Sequence, residues 1–277
     1  MPELPEVETV RRGLTPLMEG RTIRRVDILD ERLVRPIDPR DARRLLTGRR
    51  VERVGRRGKY LLLELDEDLI AVHHLRMTGS FASPEQPTPG HVRLRYFLDG
   101  LVGPISYNDP RRFGTLDLGS RAEIAAYLDE RLGPEPLDDS WTAESLHSRL
   151  RRRRAPLKAA LLDQRVVAGL GNIYVDEACF LAGVRPGMPA ERMTLPATVR
   201  LVAAIKARLV EAIAVGGSTL RDYRGVEGEA GGMQERFVAY GRSGLPCLTC
   251  GTTMRGDRIA GRGTSWCPRC QSAGRAR

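Results

Sequence analysis

The sequence predicts an α+β chain of two domains, strands first and helices after. Three observations carry this. Short apolar runs follow one another between Arg21 and Leu118 without helices between them, the pattern of a β-sandwich or barrel. Beyond Gly119, apolar residues recur at helical spacing. Four of the five cysteines then form two CxxC pairs near the C-terminus.

A first helix precedes the strands. Pro2 and Pro5 stand at its start, Glu3, Glu6 and Glu8 place negative charge where the helix dipole favours it, and Val7, Val10, Leu14 and Leu17 share a face. Pro16 is expected to kink or end it. Tyr60–Leu65 and Leu69–Val72 read as strands. Residues 92–98 alternate with a period of two, and Asp99-Gly100 reads as a hairpin turn into Leu101–Tyr107. Helices are predicted at 121–131, about 142–151, 156–163, 173–182 and 195–214. The Pro- and Asp-rich LGPEPLDD at 132–139 reads as a linker. The expected domains are therefore 1–133, 134–235 with a Gly-rich segment at 216–232, and a cysteine module at 236–277.

With 41% hydrophobic and 29% charged residues, the 277-residue chain has the balance of a folded protein with a sizeable core. No apolar run reaches the roughly 18 residues of a spanning helix. MPELPEVE lacks the basic and then apolar start of a secretory signal, so a cytoplasmic location is expected. Lys and Arg number 45 against 35 acids, and only Lys59, Lys158 and Lys206 are lysines. A net charge of +10 fits a polyanionic partner, most simply nucleic acid; a compositional preference for arginine would give the same sum.

Cys247-x2-Cys250 and Cys267-x2-Cys270, sixteen residues apart, offer four thiolates to one tetrahedral Zn2+. A closed four-cysteine site leaves no position for water, so such a zinc is structural. Two disulfides are the alternative, but export has no support here. Cys179 falls in an apolar helical pattern and reads as core. Residues 258–264 (RIAGRGT) read as a basic hairpin tip, able to reach a phosphate backbone or simply solvated. VVAGLGN at 166–172 permits a tight turn with Asn172 as cap of the next helix, an anion site or an ordinary connection. Removal of Met1, usual before a small residue, leaves Pro2 with a free secondary amine. Terminal amines titrate at roughly 7.7–8.0, far below lysine, so such an amine can attack an electrophilic carbon near neutrality. Glu3 beside it could move a proton. Ordinary helix-start chemistry explains the same two residues.

PELPEVETVRRGL at 2–14, GRRGKYLLLEL at 55–65, HLRMTGSF at 74–81, YNDPRRFG at 107–114, LLDQRVVAGLGNIYVDEACF at 161–180 and GRGTSWCPRCQ at 261–271 occur together. In these segments the chain resembles the bacterial formamidopyrimidine-DNA glycosylases, base-excision enzymes for oxidised purines. The resemblance implies an N-terminal β-sandwich with flanking helices, a helix-two-turn-helix domain and a four-cysteine zinc finger with one Zn2+ and no organic cofactor. It implies a monomer acting on double-stranded DNA that contains oxidised bases or abasic sites, in the cytoplasm at the nucleoid.

The resemblance also implies residue roles. Pro2 would attack C1′ of a flipped nucleotide, releasing 8-oxoguanine or a formamidopyrimidine, and β,δ-elimination would cut the strand. Glu3 is the expected acid and base, Glu6 positions the sugar, and Lys59 meets a phosphate near the lesion. His74, His91, Lys158, Asn172 and Arg262 fall at DNA-contacting positions. Met77, Arg111 and Phe113 match the wedge that fills the vacated hole, with Arg111 facing the orphaned cytosine. The 216–232 segment resembles the loop that closes over 8-oxoguanine, reading the base around Ser218, Leu220, Arg221, Asp222 and Tyr223. Position 76 departs from the pattern, with Arg where many relatives have Gly. An endonuclease VIII-like enzyme for oxidised pyrimidines shares the proline, glutamate and ribbon, but Leu4, the wedge and the 216–232 segment fit the purine branch better. The other alternative is a catalytically silent damage-binding protein, against which the Pro2-Glu3 pair argues.

Overall fold

The structure, a computed structural model, describes residues 2–88, 90–219 and 223–271. Leu220, Arg221 and Asp222 of the expected lesion loop lie outside the described residues. The chain divides into two compact units, Met1–Glu130 with Ile213–Gln234, and Arg131–Ala212 with Glu235–Arg277. This differs from the expected division in three places, the first being that the cysteine module 236–277 groups with the helices. Residues 213–234 group with the first unit because the Ser83 amide donates to the Val226 carbonyl at 2.9 Å and the Val226 side chain is part of that unit's core. The stretch 132–139 is not a free linker: Gly133 donates to the Gln164 carbonyl at 2.7 Å and Ala168 to that of Pro134 at 3.0 Å, so it folds onto the second unit.

In the first unit, α1 (Leu4–Met18) starts from Glu3 as N-cap and runs past Pro16. Only one ladder donor is lost there, in the last turn, and burial of Leu14 and Met18 holds that turn in place. Two antiparallel sheets follow. One has the order β1 (Ile23–Ile28), β6 (Val92–Leu98), β7 (Ile105–Asn108), β5 (Ser80–Ala82). The other has the order β2 (Val51–Arg57), β3 (Tyr60–Leu65), β4 (Leu69–His74), β8 (Thr115–Ser120). Val26, Leu94 and Tyr96 of the first sheet share one buried cluster with Val54, Leu61 and Leu63 of the second and with Val7, Val10 and Leu14 of α1. This is the predicted sandwich. The connection after β6 is longer than a two-residue turn, since Tyr96 pairs with Ile105 and residues 99–104 lie between the strands. The helix α2 (Pro39–Leu46) interrupts the strands, contrary to expectation. Its start signal is ordinary: the Asp38 carboxylate accepts the Arg40 amide at 2.7 Å and Pro39 follows the cap.

His73, on β4, bridges the two sheets. Its Nε2 lies 2.8 Å from the Tyr96 hydroxyl, and its ring meets Phe81 edge-on at 5.1 Å. Burial pushes its imidazole down to about 3; His74 is pushed to the same value by burial, with Arg76 and Lys59 adding like charge. Both histidines are thus held neutral in the folded chain and take up protons on unfolding. Their contribution to stability is complete above the unfolded value near 6.5 and is lost as pH falls from there towards 3. Between about pH 7 and pH 5 the loss is expected to be about 2 kcal/mol per histidine. Urea unfolding followed by far-UV circular dichroism checks this. His73→Phe keeps the ring packing and is expected to halve the effect; equal stability at the two pH values would refute it.

The second unit contains α4 (Ala143–Leu150), α5 (Leu157–Leu162), α6 (Asn172–Leu181) and most of α7 (Leu195–Ala214), after α3 (Arg121–Arg131) closes the first. A hairpin of β9 (Arg255–Ile259) and β10 (Arg262–Trp266) completes it. No described helix is long and apolar enough to cross a membrane.

Candidate functional site

The first unit gathers its chemistry at the start of α1. Pro2 is buried beside Glu3 and Glu6, which are 2% and 1% exposed. A capping box joins the two acids: the Glu3 carboxylate accepts the Glu6 amide, and the Glu3 amide donates to Glu6 Oε2 at 2.8 Å. The other Glu6 oxygen faces the Gly-rich segment. Oε1 accepts the Ser218 amide at 2.8 Å and its hydroxyl at 3.1 Å, and the Tyr223 hydroxyl donates to the Glu6 carbonyl at 3.1 Å. Burial and the Glu6 charge push the Tyr223 hydroxyl up, so it stays a donor. Gly217 sits at φ +77°, and a Cβ there would meet Glu6 Cγ at 2.9 Å, so only glycine allows this approach. One carboxylate thereby fixes both the N-terminal segment and the 217–218 backbone. Of the expected loop residues, Ser218 and Tyr223 are brought to α1.

Lys59 follows Gly58 in the β2–β3 turn and is buried. His74, at the end of β4, packs edge-on against Tyr60 at 4.6 Å. Its Nδ1 accepts the Arg76 amide at 3.0 Å, so the neutral ring carries its proton on Nε2 as a donor. Arg76 itself sits at φ +52°, a left-handed conformation that favours glycine. Met77 is half-buried, while Arg111 and Phe113 project from the loop after β7, with Phe113 52% exposed and the Arg111 guanidinium 4.7 Å from its ring centre. Asp109 builds this loop. Its Oδ2 accepts the Gly114 amide at 2.7 Å and its Oδ1 the Thr78 hydroxyl at 2.5 Å, tying the Met77 turn to the Arg111–Phe113 loop. His91 is exposed, and its carbonyl accepts the Asp109 amide at 3.0 Å. The sequence marks Asp109-Pro110 as a turn, an acid before proline at a strand end, but not the bonds by which Asp109 builds the loop.

In the second unit the four cysteine Sγ atoms lie within 4.8 Å of one another, with Cys250–Cys267 at 3.5 Å and Cys247–Cys270 at 3.9 Å. Thiolates on a tetrahedral zinc at ~2.3 Å stand about 3.8 Å apart, so this donor set fits one structural zinc. The ion would hold the base of the β9–β10 hairpin, whose tip turns at Ala260 and Gly261 and exposes Arg262. Asn172 is the first residue of α6 rather than its cap, which is Gly171, and its Nδ2 donates to the Gly263 carbonyl at 3.1 Å.

Lys158 is fully buried, contrary to its expected place at a DNA phosphate. A fully buried Nζ cannot reach a phosphate; it donates instead to Asp176 Oδ1 at 2.6 Å and to the same Gly263 carbonyl at 2.9 Å. Asp176 Oδ2 accepts the Ser265 amide at 3.1 Å, and burial pushes Asp176 up to about 6 despite Lys158. Lys158 and Asp176 thus set the register between α6 and the zinc hairpin. Its neighbour Glu177 accepts the amides of Val238, Ala239 and Tyr240 at 2.8–3.1 Å, fixing the chain that leads into the module. Two acids inside an otherwise apolar helix are the sequence signal that could have revealed this. Lys158→Met leaves Asp176 unpaired and is expected to cost about 3–5 kcal/mol, read by thermal unfolding; Lys158→Met with Asp176→Asn is expected to recover part of it.

Comparison with known proteins covers nearly the whole chain. Residues 1–116 match the formamidopyrimidine-DNA glycosylase N-terminal domain, residues 132–224 its H2TH domain, and residues 244–273 the zinc finger found in FPG and IleRS. The formamidopyrimidine-DNA glycosylase of Bacillus licheniformis is 45% identical over 98% of this chain and 99% of its own. The crystal structure of the MutM (FPG) protein from Thermus thermophilus superposes with a TM-score of 0.88 at 44% identity, covering 99% of this chain and 100% of that one. The Lactococcus lactis Fpg bound to DNA containing an abasic site superposes at 0.90 with 36% identity, covering 98% and 100%. Three family domains in order, and relatives matched from end to end, leave one conclusion: this chain belongs to the formamidopyrimidine-DNA glycosylase family.

Proposed function

We propose that this chain is a bifunctional DNA glycosylase and AP lyase of base excision repair, acting on oxidised purines in duplex DNA in the cytoplasm, at the nucleoid. The observation that carries the reading is the buried start of α1, where Pro2 adjoins Glu3 and the Glu6 carboxylate holds both the Glu3 amide and Ser218. With Met1 removed, the Pro2 nitrogen attacks C1′ of the flipped nucleotide. The C1′–N bond to the base breaks, the base leaves with a proton, and the sugar ring opens to an iminium on Pro2. Glu3 supplies and then accepts the protons these steps move. Loss of the 3′ and then the 5′ phosphate by elimination cuts the strand, and water frees Pro2.

Around this centre, Lys59 and the Nε2–H of neutral His74 contact phosphates, as does His91. Met77, Arg111 and Phe113 occupy the space the base vacates. Ser218 and Tyr223 belong to the segment over the base, which Glu6 couples to the reacting end. Asn172 and Arg262 grip phosphate from the second unit, aligned by Lys158. The domain carrying Pro2 does the chemistry and the helical and zinc parts hold the duplex. Support comes from Lactococcus lactis relatives crystallised with DNA containing an abasic site or Fapy-dG.

The test is competition between duplexes carrying 8-oxoguanine opposite cytosine and thymine glycol, with borohydride present. Preferential trapping on 8-oxoguanine is expected. Trapping mainly on thymine glycol would move the chain to the pyrimidine branch, and binding without any adduct would leave a damage-binding protein.

A further inference from the structure

We propose that a groove beside α4 is a second docking site for the DNA phosphate backbone, distinct from Asn172 and Arg262; the inference rests on duplex DNA being the partner. The groove has a volume of about 680 Å3 and is lined by Ser145, Ser148, Arg149, Arg152, Arg153 and Val166. Residues 149–154 place five arginines in six positions around the end of α4 at Leu150. The negative pole of α4 accounts for one or two of these cations. Arg153 pairs with Asp163 at 2.8 Å, which cancels its charge. Arg149 donates to the Arg165 carbonyl at 3.1 Å, a bond that steadies the guanidinium and leaves its charge intact. Among the described residues, exposed Arg151, Arg152 and Arg154 have no carboxylate partner.

The groove therefore offers one steadied guanidinium, one uncommitted guanidinium and two hydroxyls. Planar forks with neutral donors beside them match the oxygens of phosphodiesters. A protein partner would be met by exposed aromatic or aliphatic anchors, and the one apolar residue lining this groove, Val166, is 1% exposed.

The experiment measures equilibrium binding of a lesion duplex by the full zinc-loaded chain across a salt series. Arg149→Gln with Arg152→Gln is compared with Arg40→Gln with Arg44→Gln, which removes the same charge from exposed positions on α2. Each lost phosphate contact lowers the slope of log K against log salt by about 0.9. The groove pair is expected to lose about one to two units of slope and about tenfold in affinity, and the control pair neither. An aryl azide on Ser148→Cys is expected to photo-cross-link the duplex. Groove variants that behave like the control, or a label that does not cross-link, would overturn the proposal. A wild-type chain that fails to bind the lesion duplex would overturn the functional reading as well, and is told apart because every variant then fails alike.

Discussion

Glu3→Gln is expected to slow release of 8-oxoguanine by about 10²–10⁴-fold, the range for loss of a positioned acid and base, with duplex affinity nearly unchanged. The substitution separates chemistry from architecture. Glu3 is the N-cap of α1, and its carboxylate accepts the Glu6 amide. A glutamine oxygen can accept that same bond, so the helix start and the Glu6–Ser218 contacts persist. What glutamine cannot do is take up a proton and return it. Single-turnover excision at saturating enzyme is the measurement. A large fall in rate with unchanged thermal stability is the expected pattern; an equal loss of stability and rate would reduce Glu3 to a cap.

Removing the zinc is expected to weaken duplex binding by about 10²-fold or more, while the sandwich of the first unit keeps its fold. The β9–β10 hairpin has two five-residue strands, and four of the five β9 residues are exposed. An isolated hairpin of that kind is marginal in water, so its order rests on the cysteines together with its bonds to Lys158, Asp176 and Asn172. With the hairpin go Arg262 and the Gly263 carbonyl that Lys158 and Asn172 hold. Two charge-assisted contacts at about 1.5–3 kcal/mol each give the stated loss. Cys267→Ser, or chelation after mild unfolding, read by fluorescence anisotropy and zinc content, checks this. Full binding by zinc-free protein would separate the metal from DNA recognition.

How legible this was in the sequence depended on how local the cause was. β3 at 60–65 and β6 at 92–98 were read to the residue because alternation and apolar runs are local signals. The zinc cysteines were legible because knuckle spacing encodes the ligand geometry directly. Site residues came mostly from the family resemblance, since Met77 or Arg111 alone looks like core or turn. The resemblance puts Lys158 at DNA but says nothing of burial; only packing shows its Nζ against Asp176. The 216–232 segment has no local signal of its allegiance, which is set by Val226 in the sandwich core and by Ser218 on Glu6, the latter a contact 212 residues apart. The 132–139 stretch has a linker's composition but hydrogen-bonds to the turn after α5. Arg76 carries a cost that the sequence does not display, since it holds φ +52°, a conformation that favours glycine.

The N-terminal proline nitrogen is the group expected to react with the sugar. Borohydride reduction of the enzyme with an 8-oxoguanine duplex, followed by digestion and peptide mass spectrometry, tests it directly. The expected product is a chain that begins at Pro2, with the sugar remnant attached to the Pro2 nitrogen. A remnant on Lys59 or on another amine, or trapping by a chain that retains Met1, would contradict it.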